Sequence, residues 1–351
     1  MNPIQPNLFE LKLPRLIGDG MILQRDKEIN VWGWAVPGES VAVNFLGETH
    51  DAVIEDNGKW SVKLPPKKAG GPYNMRIESK TIITIKDILI GDVWVCSGQS
   101  NMGLPMVRVS ELYADDIALS YNPAIRLFIV PERYDFNMAH DDLQSGRWET
   151  VNPESILHFT ATGYFFAKAL FEKYHVPIGL INASVGGSPI EAWLCEEKGG
   201  FIKDKPYKII VEGQVVDLKG EWQYRVGVIA EPLPEPTFFQ YKPLGLFNGM
   251  ISPLLNYTIK GITWYQGESN ISRASEYQKL FFELIDDWRK KWKQGNIPFL
   301  YVQLPNYMEA EDCPYKKGWA EIREAQLKTL SVPNTEWQLQ SILGSGTTCI
   351  L

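Results

Sequence analysis

The sequence of 351 residues has few cysteines and few histidines. The cysteines contain no closely spaced pair, which excludes a Cys-x-x-Cys metal or redox motif and argues against a dense disulfide framework. The histidines are equally scattered, so neither a metal nor another cofactor is expected. These residues are Cys96, Cys195, Cys313, Cys349, His50, His140, His158 and His175.

Positive charge and long hydrophobic runs are also scarce. Lysine and arginine number 35 against 42 acidic residues, a net charge of −7, which argues against a nucleic-acid partner. No run reaches the ~18 apolar residues of a membrane span. The first twenty residues contain no charged-then-apolar leader, so the chain is cytoplasmic or its leader was removed, and the compartment stays open.

What is present points to a globular protein with an enclosed core. Hydrophobic residues make up 44 % and charged residues 22 % of the sequence, close to the globular average, and the length suits two domains. The 12 Trp, 15 Tyr and 15 Phe could offer flat faces to sugar rings, although such residues more often fill cores. The oligomeric state is left open.

The first part of the chain predicts short antiparallel strands. Residues 29–34, 40–45 and 60–64 alternate apolar and polar side chains, and turn-forming residues separate them. This spacing predicts a small β-sandwich domain over residues 1–88.

The remainder, residues 89–351, predicts an α/β domain. Short apolar runs typical of buried strands begin at Val93, Ile125, Ile178, Ile262 and Phe299. Helical patterns over residues 159–175, 275–293 and 319–330 alternate with them, which indicates a doubly wound, flavodoxin-like parallel sheet. The stretch of about 196–244 is rich in Lys, Glu and Pro, and we interpret it as an insertion that caps one side of the sheet.

Three polar motifs follow predicted strands, where reactive groups collect in doubly wound sheets. They are Gly98-Gln99-Ser100-Asn101-Met102, the segment from Asn182 to Trp193 with Gly186-Gly187, and Gln266-Gly267-Glu268-Ser269-Asn270. Ser100 could be a nucleophile or a helix cap. Each of the other two motifs is by itself compatible with a plain loop.

Together these motifs resemble the sialate O-acetylesterase family, a group of SGNH-type carbohydrate esterases. The resemblance covers nearly the whole chain. The segments that carry it are residues 13–25, 98–102, 163–166, 186–193, 248–254 and 264–270.

The resemblance implies that Ser100 attacks an acetyl ester carbonyl. The backbone N–H groups of Ser100 and Gly187 would form the oxyanion hole, completed by the side-chain amide of Gln266 or, less favoured, Asn270. It further implies that Gln99, Asn101 and Glu268 orient substrate or loops.

The resemblance also implies a general base, a histidine near the carboxyl terminus in a segment like Asp-Leu-Gly-x-x-x-Asp-x-His-Pro, which this chain lacks. If the codons from Trp337 onward are grouped from one base earlier, they can spell Met-Ala-Val-Ala-Ile-Asp-Leu-Gly-Glu-Trp-Asn-Asp-Leu-His-Pro. The shifted codon that takes its bases from those of Cys349 and Ile350 can encode only His or Tyr, and it falls at the position of the expected catalytic histidine. We therefore expect that one base was lost near the codon for Glu336 or Trp337, and that the esterase domain is truncated at its carboxyl terminus. The alternative is a genuine, divergent terminus.

The expected function is hydrolysis of O-acetyl esters on an acetylated sugar or glycan, with 9-O-acetyl sialic acid as the expected substrate and activity impaired by the missing histidine. Acetylxylan or another polysaccharide is the alternative substrate. A non-catalytic carbohydrate-binding protein is the alternative from a different functional class.

Overall fold

The structure is a computed structural model that describes residues 11–195, 207–211, 214–218, 242–305 and 317–338. The strands are β1 Ile22–Gln24, β2 Ile29–Trp34, β3 Ala42–Phe45, β4 Glu48–Asp51, β5 Val53–Ile54, β6 Lys59–Leu64, β7 Gly70–Glu78, β8 Ile82–Gly98, β9 Asn122–Ile129, β10 Trp148–Val151, β11 Ile178–Ser184, β12 Tyr207–Val211, β13 Gln214–Leu218, β14 Gly261–Tyr265, β15 Phe299–Val302 and β16 Thr335–Gln338. The helices are α1 Ser100–Gly103, α2 Ala114–Ala118, α3 Ala161–Tyr174, α4 Ala274–Trp292 and α5 Lys317–Lys328.

A large, mostly parallel sheet dominates the fold, as the sequence predicts. Its strands follow the order β10-β9-β11-β8-β14-β15-β16, and all neighbours are parallel except β10, which runs antiparallel to β9. The central strands are apolar along their length because both faces of the sheet are covered. The carboxyl ends of β8, β11 and β14 therefore meet at one edge.

Helices pack on both faces of this sheet. Trp94 of β8 lies edge-on to Phe166 of α3 at 5.1 Å between ring centroids. Trp264 of β14 projects from the opposite face, where its ring lies 5.7 Å from that of Trp288 on α4. The apolar positions of α4 that predicted a helix are all buried against the sheet: Tyr277, Phe281, Leu284, Trp288 and Trp292.

The start and end of α3 have clear local causes. The Thr160 side chain accepts a hydrogen bond from the backbone N–H of Gly163 at 3.1 Å and caps the amino end. His175 adopts a left-handed conformation at the carboxyl end, and Pro177 follows it. The helix runs from the edge of the sheet that carries Ser100 towards the start of β11.

Strands β2 to β7 pair antiparallel, as predicted, whereas β1 runs parallel to β8, and part of this region is continuous with the large sheet. Strands β2, β6 and β5 form their own three-stranded sheet, whereas β3, β4 and β7 join the large one through β8. Strand β8 runs without a break from Ile82 to Gly98. The domain division at residue 88 falls inside this strand and stays a prediction.

Most of the predicted insertion at about 196–244 lies outside the described residues. Within it, β12 and β13 form an antiparallel hairpin. No helix of the described ranges is long and apolar enough to cross a bilayer.

Candidate functional site

The carboxyl ends of β8, β11 and β14 bring the three polar motifs to one edge of the sheet. Gly98 pairs in register with Ser184 on one side and with Tyr265 on the other. The loops that begin directly after these residues carry Ser100, Gly187 and Gln266. The edge location expected from the sequence pattern is therefore the one that the fold produces.

A sharp turn at Gly98 presents Ser100. Gly98 has φ +134°, and a Cβ built on it would lie only 2.1 Å from the carbonyl oxygen of Tyr265, so a side chain does not fit. The next backbone N–H, that of Gln99, donates to the same carbonyl at 2.9 Å. Ser100 then stands exposed as the first residue of the short helix α1.

Ser100 has the features of an available nucleophile. Neither its hydroxyl nor its backbone N–H has a hydrogen-bond partner among the described residues. The N–H belongs to the first turn of a helix, where backbone donors have no intrahelical acceptor. An oxygen atom that gains negative charge beside Ser100 can therefore be stabilised by this donor.

The second loop lies against Ser100. A Cβ built on Gly186 would stand 3.9 Å from Cα and Cβ of Ser100, which is van der Waals contact. Gly187 has φ +75°, and its carbonyl accepts a 2.7 Å hydrogen bond from the Ser269 hydroxyl of the third loop. The Gly187 N–H has no acceptor among the residues that the structure describes, so it is available as a second donor.

The Gln266 side chain of the third loop points into the protein. An oxyanion donor is expected to point towards the substrate instead. Gln266 is fully buried, and its Nε2 donates to the carbonyl of Ser188 at 3.2 Å and to Oδ1 of Asn270 at 2.8 Å. Its Oε1 accepts from the Tyr277 hydroxyl at 2.9 Å. The Gln266 amide nitrogen therefore donates to Ser188 of the second loop and to Asn270. In this way the side chain connects loops that are distant in sequence.

Asn270 is fully buried too and holds the second loop. Its Oδ1 accepts the backbone N–H of Ile190 at 3.0 Å, and its Nδ2 donates to the Glu191 carboxylate at 2.9 Å. Arg273 forms an ion pair with the other Glu191 oxygen. Glu191 was not predicted as a site residue. The sequence places Glu191 four residues after Gly187, which was the one available sign that it belongs to the site. That its carboxylate is buried and holds Asn270 depends on the tertiary structure.

Further hydrogen bonds join the first loop to the third, and they involve Gln99, Asn101 and Glu268. The buried Gln99 accepts the backbone N–H groups of Gly267 at 3.3 Å and Ser269 at 3.2 Å through Oε1. Asn101 Nδ2 donates to Glu268 Oε1 at 2.8 Å. Burial raises the pKa of the Glu268 carboxyl, and this effect outweighs the opposing effects of nearby backbone N–H groups and Asn101.

No described hydrogen bond or ion pair joins a histidine to Ser100, although all four histidines fall within residues 11–195. His175 ends α3 at the opposite side of the sheet, shortly before β11 begins. The His140 ring lies 2.8 Å from the Asp135 carboxylate, and the His140 backbone N–H donates to the carbonyl of Asn248. These contacts hold His140 in the loop after β9. His50 contacts Glu48 in the amino-terminal strands.

An apolar groove of about 290 Å³ adjoins the site. Met102 of α1 and Phe166 of α3 line one side, and residues 300–302 of β15 with Trp337 of β16 line the other. Phe166, Leu300 and Trp337 are only partly buried. The face of the sheet that carries α3 is thus incompletely covered over its last strands among the described residues.

A scan against known protein families matches the family described as carbohydrate esterase, sialic acid-specific acetylesterase, over residues 90–223 and 245–339. Two curated relatives are sialate O-acetylesterases. The mouse protein is 30% identical over 91% of this chain and 64% of its own length, and the human protein is 29% identical over 91% and 61%. This chain therefore spans less than two thirds of their length.

A solved structure is also similar over most of the chain. It is a carbohydrate acetylesterase from Xanthomonas citri, with a TM-score of 0.79 and 34% identity, matched over 94% of this chain and 68% of that one. The similarity includes the large, mostly parallel sheet.

Proposed function

Because this chain belongs to the sialic acid-specific acetylesterase family of carbohydrate esterases, we propose that it removes O-acetyl groups from sugars, with 9-O-acetyl sialic acid as substrate. What supports the proposal is an exposed Ser100 hydroxyl beside the loop of Gly186 and Gly187, together with the backbone N–H groups of Ser100 and Gly187. Among the described residues none of these three groups has a hydrogen-bond partner.

In the proposed reaction, Ser100 Oγ bonds to the acetyl carbonyl carbon and passes its proton to a water molecule, which stands in for the missing histidine. The carbonyl oxygen becomes an oxyanion and accepts hydrogen bonds from the two backbone donors. Collapse of this intermediate breaks the bond to the sugar oxygen, which takes up a proton. Water then hydrolyses the acetyl-serine to acetate. Each oxyanion donor is worth about 2.7–4 kcal/mol of activation free energy.

The inward-facing amides of Gln266 and Asn270 are proposed to act by holding the second loop. A direct role for Gln266 in the oxyanion hole would require it to release Ser188 or Asn270. Two backbone donors together with a side-chain scaffold are the arrangement that the contacts support best.

We propose that this chain is impaired because the proton acceptor is missing. Ser100 without a neighbouring imidazole keeps the high pKa of an alcohol and is a weak nucleophile at neutral pH. A one-base shift near Trp337 is the proposed origin of the altered residues that follow. The family match stops at residue 339, within the stretch that this shift would affect.

Hydrolysis of an aryl acetate by the present chain, its S100A variant and a chain with the reading frame restored tests these points. The restored chain should exceed both others, whereas the present chain and its S100A variant should both keep only a low residual rate, since triad-deficient serine enzymes retain roughly 10³–10⁴ over water. Equal rates for the present and restored chains would contradict the impairment. The S100A substitution in the restored chain should abolish its gain in rate, and an unchanged rate there would remove Ser100 as the nucleophile.

Substrate choice needs a separate comparison. Acetate release by the restored chain from O-acetylated sialic acid and from acetylxylan distinguishes the proposed substrate from a polysaccharide. Sugar binding that survives S100A, with no acetate released by the restored chain, would instead support a non-catalytic carbohydrate-binding protein.

A further inference from the structure

The nucleophile of the proposed function sits on a helix that cannot hold itself in place. Helix α1 has only four residues, Ser100–Gly103. A single turn gains little from its own hydrogen bonds. Its orientation must therefore come from contacts with other elements.

Three such contacts surround Ser100. The Gln99 side chain accepts two backbone N–H groups of the third loop. The Thr162 hydroxyl of α3 donates to the Asn101 carbonyl at 3.1 Å. The Asn101 side chain donates to Glu268 at 2.8 Å. The first two fix the backbone on either side of Ser100, and the third is the only one that involves a carboxylate.

One oxygen of the Glu268 carboxylate is engaged by Asn101 and the other is shielded from solvent. Oε1 accepts from Asn101, and Oε2 is buried without a hydrogen-bond partner among the described residues. An oxygen atom with no accessible surface cannot contact a sugar hydroxyl. No described lysine or arginine forms an ion pair with Glu268, so its one side-chain donor is Asn101.

We propose that Glu268 is a positioning residue. It acts through Asn101 to hold the Ser100 hydroxyl beside the backbone N–H groups that would stabilise the oxyanion. This inference rests on the proposed function and assigns to the Asn101–Glu268 pair a task other than substrate contact. A charge-assisted hydrogen bond is stronger and more directional than a neutral one, so the pair restrains the turn next to the nucleophile.

A double-mutant cycle tests the pair in the full chain. The readouts are the rate at which a fluorophosphonate labels Ser100, located by peptide mass spectrometry, and kcat and KM on an aryl acetate. N101A and E268A should each slow labelling about tenfold, since small displacements of reacting groups are costly. The double variant should be no slower than either single variant. Losses that multiply to about a hundredfold would overturn the coupling.

Conservative replacement separates positioning from general damage. E268Q keeps an oxygen that accepts from Asn101 but loses the charge, so its labelling rate should lie between those of the wild type and E268A. The matched control is E276A, because Glu276 lies exposed on the first turn of α4, and it should label normally. Equal loss in E268Q and E268A would overturn the inference.

The division between kcat and KM gives the final discrimination. Positioning predicts a lower kcat with KM unchanged, and a raised KM with kcat unchanged would mean that Glu268 contacts the substrate. If E268A fails to fold, N101A breaks the same hydrogen bond from the other partner and carries the test. A chain with the reading frame restored that neither labels at Ser100 nor hydrolyses the ester would overturn the proposed function itself. Normal wild-type labelling with unaffected N101A and E268A variants would overturn only this inference.

Discussion

Replacing Gly98 by alanine should pull the nucleophile away from its oxyanion donors. The added Cβ would stand 2.1 Å from the Tyr265 carbonyl oxygen, whereas ordinary contacts begin at 3.4 Å, so the ends of β8 and β14 must separate by about 1.3 Å. The backbone also holds φ +134°, which alanine adopts poorly. Backbone strain and overpacking each cost roughly 1–3 kcal/mol, so we expect G98A to lose about 3 kcal/mol of unfolding free energy.

The effect on chemistry should exceed the effect on stability. Ser100 follows Gly98 by two residues, while the Gly187 carbonyl is held by Ser269 of the third loop. A shift of β8 therefore changes the distance between the nucleophile and the second loop. Misplacement by about 1 Å can cost roughly 10²-fold in rate, and we expect that loss in fluorophosphonate labelling of Ser100. Urea unfolding measured on the same samples gives the stability term.

Gly38 offers the matched control. It too has a positive φ, +88°, but a Cβ built there would meet nothing within 4 Å. G38A should therefore lose only the conformational cost, about 1 kcal/mol, and label Ser100 at the wild-type rate. Equal destabilisation of G38A and G98A, or normal labelling of G98A, would refute the argument from the Tyr265 contact.

Three further outcomes follow from buried polar groups. N270A should lower the unfolding free energy by about 2–4 kcal/mol in urea titrations, because it leaves the Glu191 carboxylate short of a donor; a change below 0.5 kcal/mol would contradict this. Burial raises the pKa of the Cys96 thiol to about 12, so iodoacetamide at pH 8 should alkylate Cys96 only after unfolding, as peptide mass spectrometry would show. The pKa of Glu268 is raised in the folded chain, so charging it opposes folding. The stability of E268Q relative to wild type should therefore grow as pH rises from the carboxyl's unfolded value of about 4.5, and a pH-independent difference would contradict the raised pKa.

Local sequence determined much of the architecture. The helix from Ala274 to Trp292 follows from the spacing of its buried aromatic and aliphatic residues, and its observed bounds lie within one residue of the predicted ones. The apolar run at Ile262 predicts β14 for the same reason, since a strand covered on both faces needs no polar alternation. The location of the polar motifs followed as well, because the carboxyl ends of parallel strands share one edge.

The roles within that edge depended on contacts between distant segments. Gln266 and Asn270 have the same amide groups whether they face a substrate or the interior, so their types could not reveal that both point inward to Ser188, Ile190 and Glu191. The domain boundary near residue 88 stays a prediction, because β8 continues through it and pairs with β7 in its first half and with β11 and β14 in its second.

The sequence by itself thus determined the order of strands and helices, the residues that meet the sheet, and the placement of Ser100 at a strand end. Periodicity and turn chemistry suffice for these, because they act over a few neighbouring residues. Only the tertiary structure decided which polar groups remain available at the site and which hold the loops together. Hydrogen-bond partners separated by some 80 to 170 residues, such as Ile190 with Asn270 and Asn101 with Glu268, are selected by the packed fold as a whole.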